Sequence, residues 1–316
     1  MFCIVAFVVL AILGIFSASN RVLAREALDC VTRRVTLRPC TTGFDEKMKA
    51  RILGIVITRS ETAARVLNRN FELLAWTFFV LMLASGFFAV RGLYLFYVTG
   101  SCNGLNQSAF CVFDPKGENN QTSALPQGCQ LKPTTVADLT LQDVDLSSFP
   151  VMNPTSENKV VFVGCYHCDY TRVAYPMVRD MAKRFDYSFT FLHYPVKESN
   201  DYFSRLSFCV NRLDPQKYWA FNDALFAAQK SSLDDPAFIQ KTLSETGYDP
   251  VQVERCTGDP QTASLVKTQM NEILKTNFFG TPTVFINGKA LVGPKPYRVY
   301  AIMAEGLLYW LKPPLN

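Results

Sequence analysis

Two cysteines three positions apart, Cys165 and Cys168, directly follow the apolar run VVFVG. A pair with this spacing can be a redox dithiol, half of a metal site, or two buried sulfurs. A zinc site would need a second pair of ligands beside it. At a helix N-terminus, unpaired N–H groups and the helix dipole lower a thiol pKa from about 8.5 to roughly 3.5–7.5. Such a thiolate attacks a disulfide, and a second nearby sulfur resolves the product.

The residues around the pair predict a compact α/β domain that begins near residue 156. KVVFV is typical of a buried strand, residues 168–185 predict a helix, and SFTFLHY predicts a second strand. One apolar face is expected on the helix, formed by Val173, Met177, Val178, Met181 and Phe185.

A helical block follows, and its helix starts are marked by aspartate-proline pairs. Each pair places an N-cap acid before a proline at the first helical position; they are Asp214-Pro215, Asp235-Pro236, Asp249-Pro250 and Asp259-Pro260. After the block, TPTVFINGKALVG predicts a hairpin with its tight turn at Asn287-Gly288. Residues 295–311 predict a closing helix.

This order of elements, with a cysteine pair at the first strand-to-helix junction, resembles the thioredoxin-like thiol–disulfide oxidoreductases of the DsbA type. The resemblance covers residues 156–312 and rests on CYHC, on CVNRLDPQKYWAFNDALFAAQ and on GTPTVFING. It implies an α/β thioredoxin-like fold with a helical insertion over about residues 200–277. GTPTVFING is similar to the loop that carries the family's cis-proline.

The resemblance implies a redox role for the cysteine pair in one of two registers. In the first, Cys165 attacks and His167 stabilises its thiolate. In the second, Cys168 attacks, Thr171 takes the place of the resolving cysteine, and Cys165 is the nearby redox partner. We favour the second register, because the family's helix-kinking proline follows the first cysteine by eight residues, as Pro176 follows Cys168.

Strand length favours the same register, since a helix starting at Cys165 would push the strand back into SENK, which has little strand propensity. The cis-proline of the family corresponds to Thr281-Pro282, where a cis bond would turn the Thr281 backbone toward the sulfurs to pair with a substrate strand. The family's buried acid on the first strand is missing, because Lys159 or Phe162 stands there.

The remaining cysteines sort into a structural pair and a group in the preceding segment. By the resemblance, Cys209 and Cys256 in the insertion form a structural disulfide. Three more, Cys102, Cys111 and Cys129, lie in a stretch rich in Gly, Asn, Gln, Ser, Pro and Thr, which predicts an extended stalk. Their pairing stays open. Cys30 and Cys40 are predicted to be reduced thiols.

The front of the chain predicts two transmembrane helices. Residues 1–20 carry no charge, and residues 73–90 form a second uncharged run. A cleaved signal peptide is the alternative for the first run, but the run lacks a basic n-region. Residues 20–70 hold 11 Lys+Arg against 5 Asp+Glu, which places this loop in the cytoplasm and everything after residue 98 outside. We find no nucleic-acid signal, since this loop accounts for the net charge of +5.

The predicted organisation is a helix at 1–19, a cytoplasmic loop at 20–70, a helix at 71–98, a stalk at 99–155 and the thioredoxin-like domain at 156–316. The predicted function is a membrane-anchored extracytoplasmic thiol–disulfide oxidoreductase that acts on thiols of exported proteins, without cofactor or metal. An oxidase must be reoxidised, for which a quinone-linked membrane partner is expected. The alternative is a thioredoxin-like binding module of a membrane assembly that has lost turnover; Thr171 and the missing strand acid favour it.

Overall fold

A computed structural model describes residues 2–36, 38, 43–125 and 135–312. The chain divides into two compact units, residues 1–91 and residues 92–316. In the first unit the helices are α1 (Phe2–Phe16), α2 (Ala18–Val35), α3 (Phe44–Ile57) and α4 (Glu61–Arg69), and α5 (Phe71–Thr99) runs from this unit into the second.

Among the described residues, α5 is the one helix long and apolar enough to cross a membrane. Its 29 residues reach about 43 Å at about 1.5 Å per residue. The 15 residues of α1 reach about 22 Å, which is short of a hydrocarbon core of about 30 Å. The structure therefore shows one candidate span where the sequence predicts two.

In the first unit, α1 packs against α2 around a small apolar cluster that contains Leu10, Ala27 and Phe44. Cys30 lies in this cluster and is disulfide-bonded, which differs from the reduced thiol predicted for it. Cys40 lies outside the described residues.

The second unit is built on a five-stranded sheet that carries helices on both faces. In chain order its elements are β1 (Ser123–Ala124), β2 (Val151–Met152), β3 (Lys159–Gly164), α6 (Asp169–Arg184), β4 (Ser188–His193), α7 (Tyr202–Leu213), α8 (Pro215–Ala227), α9 (Pro236–Glu245), α10 (Pro250–Gly258), α11 (Pro260–Leu274), β5 (Gly280–Thr281), β6 (Thr283–Ile286), β7 (Lys289–Val292) and α12 (Tyr297–Glu305). The strand order is β2-β4-β3-β6-β7, and only the β3–β4 pair is parallel. This is a thioredoxin-like sheet with α7–α11 inserted between β4 and β5.

Alternate residues of β3 point to opposite faces of the sheet, and each face has its own core. Val160 and Phe162 pack in a large aromatic core with α6, α7, α8 and α12. Val161 and Val163 pack in a second buried cluster that also contains Cys165 and Cys168. We call this the sulfur cluster. Cys165 and Cys168 therefore lie on the face of the sheet opposite the aromatic core.

Local chemistry explains why the helices of the insertion begin where they do. The four predicted N-cap aspartates each accept a hydrogen bond from the backbone N–H two residues later, with proline at the first helical position. Asn287 and Gly288 have φ values of +47° and +82° and join β6 to β7 in the predicted tight turn.

The segment predicted to be an extended stalk packs on the domain instead. Leu125 and Phe149 are buried in the sulfur cluster, and Asn106 hydrogen-bonds the main chain at Ala290 and Val292. Cys102 and Cys111 form a disulfide, and Cys129 lies outside the described residues. This stretch is mostly polar, but its few apolar residues are enough to pack it against the domain.

Cys209 and Cys256 form a disulfide that joins α7 to α10. Replacing both with alanine removes a cross-link between residues 47 apart, and loop entropy predicts a loss of about 4 kcal/mol in the free energy of unfolding. The matched change at Cys102 and Cys111, which are 9 apart, is expected to cost about 2.5 kcal/mol. Urea denaturation of the full chain in detergent measures both losses. Equal losses, or a larger loss from the shorter loop, would contradict this ranking.

Candidate redox site

The cysteine pair occupies the turn between β3 and α6. β3 ends at Gly164, Cys165 follows, and Cys168 is the N-cap residue of α6. The two cysteines form a disulfide with a Cα–Cα distance of 5.3 Å. The Cys168 N–H donates to the Cys165 carbonyl at 3.3 Å. One tight turn therefore holds both sulfurs.

The helix start makes the two sulfurs unequal. The side chain of an N-cap residue lies over the first, unpaired N–H groups of its helix, at the positive end of the helix dipole. Cys168 holds this place on a helix of 16 residues, whereas Cys165 precedes it by three positions. The Cys168 side chain accepts no capping hydrogen bond among the described residues, so it is the helix dipole that favours a thiolate at Cys168, as the second register expects. Which sulfur attacks remains a prediction.

A buried aromatic and an arginine hold the turn in place. The Tyr166 ring stacks on His193 with centroids 4.6 Å apart, and its hydroxyl donates to Asn222 Oδ1. Arg172 donates to the Tyr166 carbonyl and to the Leu225 carbonyl near the end of α8. The insertion therefore fixes the turn that carries the sulfurs.

An acid that sequence analysis missed lies beside Cys165. Glu198 Oε1 is 3.7 Å from Cys165 Sγ, 3.1 Å from His193 Nε2 and 3.4 Å from His167 Nδ1. His167 Nε2 lies 3.1 Å from Asp234 Oδ1. The family's strand acid is absent, but the loop after β4 supplies a carboxylate at the sulfurs.

Charge pairing decides the ionisation of this cluster. Burial opposes ionisation of Glu198, but the charge of His193 and hydrogen bonds from both histidines outweigh it and lower the Glu198 pKa to about 2. The hydrogen bond to Glu198 raises the pKa of His167, against the opposing effect of burial. A fixed negative charge therefore faces Cys165 and disfavours its thiolate, and the same Glu198 oxygen contacts His167.

The cluster opens on a cavity of about 560 Å³. Its walls are mainly apolar side chains of the insertion, with His167 and Glu198 at one end. Glu198 Oε2 is buried and has no hydrogen-bond partner among the described residues. The cavity gives the proton-handling groups a route to the outside of the domain.

The cis-proline loop closes the site from the sheet side. The Thr281–Pro282 peptide bond is cis. Thr283, the first residue of β6, pairs with Val163, two residues before Cys165. The loop therefore lies at the end of β3 from which the cysteine turn departs. Phe278 and Phe285, on either side of it, pack in the sulfur cluster.

Thr171 lies in the first turn of α6 and is buried. A Cβ on Gly164 would lie 2.7 Å from the Thr171 methyl group, so a glycine is required where β3 passes the helix. The hydroxyls of Thr171 and Thr281 are buried without a hydrogen-bond partner among the described residues. The structure thus brings Cys165, His167, Cys168 and Thr171 together, with Thr281-Pro282 beside them. Cys209 and Cys256 lie in the insertion.

The interaction of His167 with Glu198 predicts a pH-dependent contribution to stability. Because the folded pKa of His167 is raised above 6.5, its contribution is fully present below about pH 6.5 and is lost as the pH rises through the folded value. Replacing His167 with Asn is expected to lower the free energy of unfolding by about 1–2 kcal/mol at pH 5.5, and by less at pH 9. Denaturation of both proteins at the two pH values measures this. A deficit that grows with pH would contradict the charged pair.

One protein-family model matches part of the second unit. The family model described as "DSBA-like thioredoxin domain" matches residues 166–301, which is less than half of the chain. No curated protein matches the chain.

Similar solved structures include BdbD from Bacillus subtilis, with 22% identity over 52% of this chain and 92% of that one, at a TM-score of 0.44. The thiol-disulfide exchange protein alpha-DsbA2 from Wolbachia pipientis has 16% identity over 51% and 88%, at 0.45. The catalytic domain of Proteus mirabilis ScsC has 17% identity over 52% and 90%, at 0.44.

The DSBA-like domain match supports thiol–disulfide oxidoreductase activity, and the Cys165–Cys168 disulfide lies at the start of the matched region. Residues 166–301 are a DSBA-like thioredoxin domain, as the CYHC, insertion and cis-proline segments predict.

Proposed function

We propose that this chain is a membrane-anchored, extracytoplasmic oxidoreductase that forms or isomerises disulfides in exported proteins through Cys165 and Cys168. The observation that carries the proposal is the disulfide at the N-terminus of α6, with the cis-proline loop beside it. Glu198 and His167 support turnover rather than mere binding, because a binding module needs no proton donor at Cys165.

The geometry supports an exchange in two displacement steps. A client thiolate attacks Cys168 Sγ, the Cys165–Cys168 bond breaks, and the departing Cys165 sulfur takes a proton that His167 supplies through Glu198 Oε1, which contacts both residues. A second client thiolate then attacks the client sulfur of the mixed disulfide and releases Cys168 as a thiolate. The client loses two electrons as its disulfide forms, and the enzyme gains them as a dithiol.

A dithiol enzyme must be reoxidised before it can act as an oxidase again. We propose that a quinone-linked membrane partner accepts the two electrons and two protons. The membrane segment supports this, since an anchored domain and a membrane-embedded partner diffuse in the same plane.

We further propose the two-pass topology, with the basic loop in the cytoplasm and the second unit outside. The surplus of 11 Lys+Arg over 5 Asp+Glu in residues 20–70 supports it. The disulfide of Cys30, which lies in this loop, instead favours a loop outside the cytoplasm, because disulfides are rare in reducing compartments. A membrane-impermeant maleimide distinguishes the two: Lys241→Cys should react in intact cells and Lys47→Cys only after lysis. Reaction of Lys47→Cys in intact cells would place the loop outside.

Oxidation of a dithiol peptide by the full chain in detergent micelles tests the activity. We expect oxidation of the peptide by the unmodified chain and none by the Cys165→Ser/Cys168→Ser double variant. The matched Cys102→Ser/Cys111→Ser variant should keep the rate, because that disulfide lies outside the site. A folded chain without activity would favour the binding module, and a double variant with the full rate would exclude this pair.

A further inference from the structure

The strand β1 lies along the cis-proline loop. In this antiparallel pair Ser123 is opposite Thr281 and Ala124 is opposite Gly280. Past the end of the strand, the Leu125 N–H donates to the Phe279 carbonyl at 3.1 Å. Residues 123–125 therefore already pair with the main chain of the cis-proline loop. A client peptide would need the same main-chain groups.

The contact with the loop is close enough to require a glycine. A Cβ on Gly280 would lie 2.5 Å from Thr122 Oγ1 and 2.8 Å from the Ser123 carbonyl oxygen. Any side chain at position 280 would push the strand away. The loop is thus shaped to receive a main chain at this place.

The same segment reaches the sulfur cluster. Leu125 is buried in the sulfur cluster, where both Cys165 and Cys168 are 0% exposed. A client sulfur must come into contact with Cys168 Sγ to react. Leu125 is therefore part of the apolar packing that a client must open to reach Cys168.

We propose that residues 122–125 occupy the client strand position, so that the free protein is self-occluded and a client binds by displacing them. The inference rests on the proposed function and adds the class of ligand. The ligand is an extended peptide segment that pairs with Gly280 and Thr281 and places an apolar side chain where Leu125 lies.

The β-pairing of the occupant is short, which suits it to exchange. The pairing comprises two residue pairs, and a two-stranded pairing of this kind is marginal by itself. Ala124 is exposed, so the segment is covered from one side only. Peptides commonly bind at a sheet edge through main-chain hydrogen bonds with pockets for alternate side chains.

Alkylation of the reduced full chain in detergent by iodoacetamide, followed by mass spectrometry of Cys165 and Cys168, tests the inference. Leu125→Asp should raise the alkylation rate by about tenfold or more, because it favours local opening of the strand. Ala124→Asp is the matched control, since it adds the same charge at the exposed neighbour and should leave the rate within about twofold. A synthetic peptide of residues 119–125 should slow alkylation of the Leu125→Asp variant, and the same peptide with Asp in place of Leu125 should not.

An unchanged rate in a folded Leu125→Asp variant, or an equal increase with Ala124→Asp, would overturn the inference. Absence of protection by the peptide would overturn it as well. If Leu125→Asp does not fold, Leu125→Ala and its protection by the same peptide decide the matter. Alkylation requires no turnover, so failure here is distinct from failure of the proposed function, which the double cysteine variant tests.

Discussion

Replacement of Cys168 with serine is expected to lower the turnover of a client by about 10³-fold or more, because the first step of exchange then has no sulfur to attack. Replacement of Cys165 also removes the disulfide and should abolish oxidative turnover, but it leaves the Cys168 thiolate able to attack a disulfide client. With the reduced Cys165→Ser chain and a disulfide client, one equivalent of client should react in a rapid burst and remain bound. Stopped-flow measurement of client disulfide consumption separates the two variants.

The contrast follows from the surroundings of the two sulfurs. Cys168 is the N-cap residue of α6, at the positive end of the helix dipole, and Cys165 faces the Glu198 carboxylate at 3.7 Å. A burst with Cys168→Ser and none with Cys165→Ser would contradict this assignment and favour the first register. The Cys102→Ser/Cys111→Ser chain controls for general effects of removing a disulfide.

Replacement of Glu198 with glutamine is expected to slow turnover by about 100-fold, because the protonated His167 loses the charge that keeps it a proton donor to Cys165. Size and shape are nearly unchanged, so the loss reports on charge. The pKa of His167 is raised by this carboxylate, so the alkaline limb of the turnover profile, where His167 loses its proton, should move to lower pH in the variant. Turnover measured from pH 5 to pH 9 gives both quantities.

Asp234→Asn is the matched control for that change. Asp234 also lies near His167, at 3.1 Å from Nε2, but its side chain is 76% exposed and solvent screens its charge. We expect a change in turnover of less than about threefold. Equal losses from both variants would show that Glu198 contributes no more than a solvent-exposed carboxylate, and an unshifted pH profile would remove it from the mechanism.

Local signals in the sequence predict much of the domain, because they act over a few residues. The four Asp-Pro helix starts and the Asn287-Gly288 turn occur where hydrogen bonding and backbone sterics require them. The short strand before Cys165 ends at Gly164, so Cys168 rather than Cys165 is the helix cap. The length of the apolar run before Cys165 is enough to predict that Cys168 is the cap.

The buried face of α6 was only partly predictable from the sequence. Val173 was expected in the core but is 54% exposed, whereas Ala174 and Tyr175 are buried. Tyr175 is amphipathic, and its hydroxyl is hydrogen-bonded by the Asn222 amide inside the core. Apolar periodicity alone assigns such a tyrosine to the surface and a neighbouring valine to the core.

Two parts of the site depend on long-range contacts and had no local signal. Glu198 follows β4 by five residues and comes to Cys165 because β4 lies parallel to β3. His193 at the end of β4 holds this acid in place. Ser123 meets Thr281 across more than 150 residues of chain, and its polar surroundings in sequence predicted a stalk.

Redox titration of the full chain against glutathione, with differential alkylation and mass spectrometry of every cysteine, tests the central claim most directly. We predict one two-electron transition in which Cys165 and Cys168 change state together, while Cys209 and Cys256 stay oxidised. A Cys165–Cys168 disulfide that stays oxidised across the titration, or a transition located at another pair, would contradict the claim that this turn is the redox centre.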